Sequence, residues 1–186
     1  GELPKGKSLM VLERPIYSEW NFEENEKEIL ISTKKLKVVV NKKSLAISYY
    51  DHKKKLLMKE PDKGGKHLEE VDVVKPVFDK DEKLDMEVTV DGLRMKNHSV
   101  ETYVNRVSYH AKLEFEWDSE EAIYGLGSHE EGVLNLRGTH QYVYQQNMKA
   151  CVPVLISNKG YGILLDNYSF MTFHDDMYGS YVWMEY

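Results

Sequence analysis

The chain has 186 residues, 41% hydrophobic and 30% charged. That is enough apolar material for one ordinary core, with room for two small ones, and too much for a disordered chain. Its formal net charge of -6 at pH 7 argues against nucleic acid or an anionic membrane as the main partner, since both attract clustered Lys and Arg, and no apolar run approaches the length that spans a bilayer.

The dominant period along the chain is two. A short strand is predicted near residues 9–13. Residues 22–29 (Phe22 to Ile29) follow Asn21 and are short and very acidic; at most a turn or two of helix is expected there, the only helix read in the chain. Leu36, Val38 and Val40, then Leu45, Ile47 and Tyr49, flank Asn41-Lys42-Lys43-Ser44, which reads as a hairpin. Lys42-Lys43 and Lys53-Lys54-Lys55 are read as solvated hairpin ends rather than a binding patch. Strands follow near 70–78 and at Leu84, Met86, Val88 and Val90, which alternate with Asp85, Glu87 and Thr89 as if one face met a core. Another is expected near 98–104.

From Val107 to Trp117 the odd positions read Val, Tyr, Ala, Leu, Phe, Trp and the even ones Ser, His, Lys, Glu, Glu, the alternation of a long half-buried strand. Further strands are predicted near 151–157, 161–166, 168–173 and 181–185. Gly64-Gly65, Asp91-Gly92 and Lys159-Gly160 fall between strands, where antiparallel connections need turns. About a dozen strands joined by short turns cannot bury two faces in one flat sheet, so an all-β, large antiparallel β-sandwich with little helix is predicted. The absence of a fixed-period repeat argues against a propeller or solenoid.

Composition shifts once. Residues 20–86 are rich in Lys, Glu and Asp, whereas 122–186 are rich in Gly, Tyr and Asn and poor in Lys. The second stretch is where a functional surface is expected, because neutral amides and phenols suit sugar hydroxyls. Gly125 and Gly127 bracket Leu126, letting one side chain point inward while the flanking backbone bends. Gly160 and Gly162 flank Tyr161 at a tight hairpin. Arg137 is read as an ion-pair or loop-anchoring residue near Glu130 and Glu131. His52, His67, His98 and His110 show no metal-ligand spacing, and His174 before Asp175-Asp176 reads as part of a polar loop rather than a cation site. His129 and His140 fall in the glycine-rich half. Cys151, the single cysteine, excludes an internal disulfide and reads as a small buried hydrophobe. No nucleophilic triad, metal set, cofactor motif or phosphate-cradling loop is expected.

Three segments in order carry a family resemblance: Tyr124-Gly125-Leu126-Gly127; Leu134-Asn135-Leu136-Arg137-Gly138 followed by Tyr144-Gln145-Gln146-Asn147; and Val152 to Ser157 running into Lys159 to Asn167. Their order and spacing resemble the galactose-mutarotase-like N-terminal domain of glycoside hydrolase family 31, particularly bacterial α-glucosidases and α-xylosidases. The resemblance implies a supersandwich spanning 1–186 as a single N-terminal domain. It also implies a (β/α)8 barrel downstream that holds the two carboxylates of a retaining glycosidase. The family's Trp-x-Asp-Met-Asn-Glu type motif has no match here, since Trp183-Met184-Glu185 and Asp175-Asp176-Met177 both depart from it, so the chain alone is expected to be inactive.

The resemblance further implies that a loop, 139–149 here, reaches the barrel's sugar pocket. Tyr144, Gln146 and Asn147 are its substrate-binding candidates, and the expected partners are the chain's own downstream barrel and an α-linked oligosaccharide. The Asp that some α-glucosidases carry at that point is absent, which leaves the sugar open. The family context points to an extracytoplasmic bacterial location, with the cytoplasm also open. Two other readings are a free-standing carbohydrate-binding β-sandwich and an aldose mutarotase, which shares the supersandwich.

Overall fold

Fifteen strands and no helix occur among the residues that the computed structural model describes, 7–12, 19–77, 86–95 and 101–185. The all-β expectation holds, and ten pairings between these strands are antiparallel. Strands β1 (Trp20–Glu24), β2 (Glu28–Thr33), β3 (Leu36–Asn41), β4 (Ile47–Asp51) and β5 (Leu56–Lys59) form a meander in chain order. A second five-stranded sheet takes β6 (Lys66–Pro76), β9 (Thr102–Phe115), β11 (His140–Val143), β14 (Met171–Asp176) and β15 (Gly179–Met184) in the order β11-β14-β15-β9-β6. A three-stranded sheet, β10-β12-β13, joins Ile123–Ser128, Ala150–Ser157 and Tyr161–Leu164, and β7 (Met86–Thr89) pairs with β8 (Gly92–Met95) as a ribbon.

By contact the chain divides into two units, one of Gly1–Leu68 with His110–Tyr186 and one of Glu69–Tyr109. The first holds a sandwich core. Phe115, Val143, Met171, Phe173, Val182 and Met184 from the five-stranded β11-to-β6 sheet cluster with Ile123, Leu126 and Leu155 from β10 and β12. Alternation places them: Ala111, Leu113 and Phe115 face this core and Trp117 packs against it, as the period-two reading of β9 requires.

Turn chemistry sets several hairpins. The Asn41 side-chain oxygen accepts hydrogen bonds from the backbone N–H of Lys43 (2.9 Å) and Ser44 (3.1 Å), and the Asp51 carboxylate accepts those of Lys53 and Lys55 (2.8 Å each). Both lysine clusters therefore ride on exposed hairpin ends, as expected. Leu45 belongs to the first turn rather than to the strand, with a left-handed φ of 60°.

Other expectations are overturned. Residues 22–29 are not helical: β1 and β2 meet across an Asn25 turn, whose side chain accepts from the N–H groups of Lys27 and Glu28 at 2.8 Å. Residues 9–11 form a bend and residue 12 takes no regular structure, so the expected strand is not there, while residue 13 lies outside the described residues. Met86 and Val88 do not meet a core; they are 44% and 85% exposed, because a two-stranded ribbon buries neither face well. Leu84 lies outside the described residues. His174 sits within β14 rather than in a loop, and residues 140–143 of the expected 139–149 loop form β11.

Candidate functional site

The connection from β11 to β12 is short and tightly held. Gln146 and Lys149 pair across a turn, with the Lys149 N–H donating to the Gln146 carbonyl at 3.2 Å. Asn147 and Met148 form its tip, Met148 in the left-handed region at φ 63°. Gln146, Asn147 and Met148 are all exposed. Tyr144 is placed elsewhere: half-buried, its ring lies 4.8 Å from Phe170 and 5.7 Å from Tyr142, centroid to centroid. The structure thus brings two of the three sequence candidates together at the turn and turns the third into an aromatic layer.

Sequence reasoning passed over the residues that hold this turn. Gln145 donates through Nε2 to the Lys149 carbonyl and, at 3.3 Å, to the Gln146 carbonyl, and its Oε1 accepts from the Cys151 N–H at 3.4 Å. Lys149 is buried, with its Nζ on the Glu131 carboxylate. That hydrogen bond raises the lysine above its ordinary value and lowers the glutamate below its own. Cys151 is half-buried rather than buried, and its thiol donates to the Tyr144 carbonyl. Burial raises the thiol's pKa against opposing effects of Lys149 and the Tyr144 backbone, so little reactive thiolate forms at neutral pH. The one visible signal was Lys149 itself, one of two lysines in a lysine-poor stretch.

Arg137 does not pair with Glu130 or Glu131. Its Nε donates to Asp175 at 2.9 Å and its Nη1 to the carbonyls of Asp118 (2.9 Å) and Glu121 (2.8 Å). Asp175 also accepts from Ser180 and from the Gly138 N–H. Burial pushes the Asp175 carboxyl up, but Ser180, Gly138 and Arg137 outweigh it and hold it below its ordinary value. Beside it Glu121, 3% exposed, accepts from Ser157 and Tyr161 at 2.5 Å each and pairs with Lys159 at 3.0 Å. Its carboxyl is likewise depressed despite burial, and the same contact and burial push the Tyr161 phenol up. An open depression of about 830 Å³ lies over this network, lined by Glu120, Arg137, Asp175, Asp176 and Met177 among others. The polar atoms at its base are already committed to one another, so the cluster is structural.

His140 and His174 face each other across β11 and β14, Nδ1 to Nδ1 at 2.6 Å, so one ring donates and the other accepts. His174 also meets Thr172 Oγ1 through Nε2 (2.9 Å) and stacks on Tyr181, with ring centroids 4.6 Å apart. No metal-holding group of three ligands occurs among the described residues. Two imidazoles in direct contact also cannot flank a sugar as separate acid and base. His129 donates from Nε2 to the Leu126 carbonyl, 2.8 Å away.

Burial, together with the neighbouring His140 charge, lowers the His174 pKa below 6.5, while Asp176 opposes the shift. The unfolded chain then binds more protons at mildly acid pH than the folded one. Stability should be intact above about pH 6.5 and decline as pH falls through the depressed folded value. Urea midpoints of the wild type and His174→Asn between about pH 7 and 5 should diverge at the upper end and converge at the lower.

The frame around the turn depends on a bulge in β10. Gly125, Leu126 and Gly127 all have positive φ (117°, 60° and 94°), the register against β12 shifts between the two glycines, and Leu126 is fully buried. The bracketing glycines therefore do what the sequence suggested: one side chain turns inward while the strand bends.

Residues 1–174 match the family described as the glycosyl hydrolase 31 N-terminal galactose mutarotase-like domain. An α-xylosidase of Saccharolobus solfataricus is 38% identical over 71 residues, covering 33% of this chain and 10% of that protein. The fold is shared with the α-xylosidase of Xanthomonas citri, at a TM-score of 0.68 and 22% identity over 91% of this chain and 15% of that one. A soil-metagenome α-xylosidase solved with xylose gives 0.65 and 22%, over 98% of this chain and 25% of that one. The chain spans about a tenth of the length of the curated α-xylosidase it matches. With a family match over most of its length and the same strand architecture, the chain belongs to the N-terminal galactose mutarotase-like domain family of glycoside hydrolase family 31.

Proposed function

We propose that this chain is the N-terminal domain of a retaining α-glycosidase of the α-xylosidase or α-glucosidase type. In this reading residues 1–186 pack on a catalytic (β/α)8 barrel that follows them and lend the Gln146–Lys149 turn to its sugar subsite. The observation that carries the reading is the turn itself: two adjacent neutral amides, Gln146 and Asn147, are exposed at the tip of a connection locked from behind by Gln145 and Lys149. Neutral amides donate to and accept from sugar hydroxyls alike. Family membership and the α-xylosidase names among the relatives support an α-glycoside as the substrate class of this reading. The barrel supplies both carboxylates, and this domain supplies position.

In the polypeptide that carries the barrel, Gln146→Ala and Asn147→Ala should each reduce kcat/KM for the preferred α-glycoside by roughly fivefold, the worth of one neutral hydrogen bond. Unchanged kinetics in both variants would remove the turn from the subsite. A reading frame that ends at Tyr186 would remove the reading altogether.

A further inference from the structure

The sheet that carries β11 has two faces, and only one meets the sandwich core. Register fixes the other. His140, His174, Tyr181 and Glu114 form one cross-strand row, and Tyr142, Thr172, Trp183 and Lys112 form the next. Tyr144 and Phe170 extend the layer: the Tyr142, Tyr144 and Phe170 rings lie within 4.8 to 6.3 Å of one another, Phe170 lies 6.3 Å from Trp183, and Trp183 lies 4.8 Å from His110.

The second face of a sandwich sheet is ordinarily polar and solvated. Here it is an aromatic layer in which Tyr142 remains 53% exposed. Lys112 is matched by Glu114 at 2.6 Å, so their charges cancel. Contiguous Tyr, Phe and Trp rings with polar tips and cancelled charge have the make-up of an interface centre rather than of a water-facing surface.

The chain itself indicates what covers this face. Strand β15 ends at Met184, and the Glu185 N–H donates to the Phe170 carbonyl at 2.8 Å. That bond holds the end of the strand beside Phe170. The Gln146–Lys149 turn rises from the same end of the sheet, since Tyr144, its approach, packs on Phe170. In the α-xylosidases sharing this fold, the matching part is 15% and 25% of the chain, so most of each lies outside it. We propose that the face formed by Tyr142, Tyr144, Phe170 and Trp183 seats the following catalytic domain, a placement that rests on the function proposed above and sets the turn at the rim of that contact.

The test is hydroxyl-radical footprinting of the full polypeptide, read by mass spectrometry. Tyr142 and Tyr168 supply an internal comparison, because the same ring type is 53% and 57% exposed in this domain. With the barrel seated on the aromatic face, Tyr142 should label about fivefold or more slowly than Tyr168, water being excluded from the centre of such contacts. The ratio should not change on dilution. Equal labelling overturns the proposal, as does protection that disappears on dilution, which would mark a second copy as the occupant. The two proposals fail separately. Protected Tyr142 with unchanged Gln146 and Asn147 kinetics leaves the docking face and removes the sugar contact; the reverse result removes the face and leaves the contact.

Discussion

Gly127→Ala is expected to cost more than about 4 kcal/mol and to leave little folded protein. An added Cβ would stand 1.9 Å from the Ala150 carbonyl oxygen and 2.8 Å from the Val152 nitrogen, both backbone atoms of the paired strand β12, which cannot yield without breaking the ladder. The φ of 94° adds strain of its own for any side-chain-bearing residue. Gly160→Ala is the control: its φ is 85° but nothing lies within 4 Å of the new carbon, so only the conformational cost of about 1–2 kcal/mol applies. Urea unfolding followed by tryptophan fluorescence should show Gly160→Ala folded with a lowered midpoint and Gly127→Ala without a cooperative transition. Equal midpoints for the two would mean that the β10–β12 bulge relaxes freely.

Arg137→Ala should destabilise by about 3 kcal/mol, since it strands the buried Asp175 carboxylate and two carbonyl acceptors at once. Arg137→Lys should recover only part of this, because one ammonium cannot reach the carboxylate and both carbonyls together. Adding Asp175→Asn to Arg137→Ala should cost less than the two single changes summed, as the unpaired charge is then gone. The pH dependence carries a matching sign. The folded Asp175 carboxyl is held below its ordinary value, so wild-type stability persists above the unfolded value and is lost as pH falls through the depressed one. Without Arg137 the folded carboxyl lies closer to the unfolded one, so the loss should be smaller and be complete at higher pH. Denaturant midpoints across the acid range would show this; identical acid profiles for wild type and Arg137→Ala would discount the ion pair.

The fold was legible where one face of a strand meets the core and the other meets water. In β9 the odd positions from Ala111 onward pack on the core, and alternation alone identifies them. Where that contrast fails, so does the reading. Every residue of β1 is exposed, so its acidic sequence carries no period and resembled the start of a helix. Strand β11 inverts the usual pattern, burying Gln141 and Val143 and exposing Tyr142, and it passed for loop because its outer face is aromatic. At the candidate site, Gln146 and Asn147 were visible as neutral amides in a polar stretch. Gln145 looked identical to its neighbour, and only geometry separates the residue that braces the turn from the one at its tip. The Arg137–Asp175 pair joins positions 38 apart, and Glu121 meets Tyr161 across 40. Local spacing instead offered Glu130 and Glu131, which the bend of the chain leaves out of reach of the guanidinium.

The brace supplied by Gln145 has a kinetic side. A connection of six residues tied through one amide to two carbonyls and a backbone N–H loses its freedom when the domain folds, not when something arrives at its tip. Whatever lands on Gln146 and Asn147 meets a surface already in its final form, so little ordering entropy remains to be lost on encounter. Association there should approach the rate of simple collision, with selectivity expressed in how slowly the bound molecule departs.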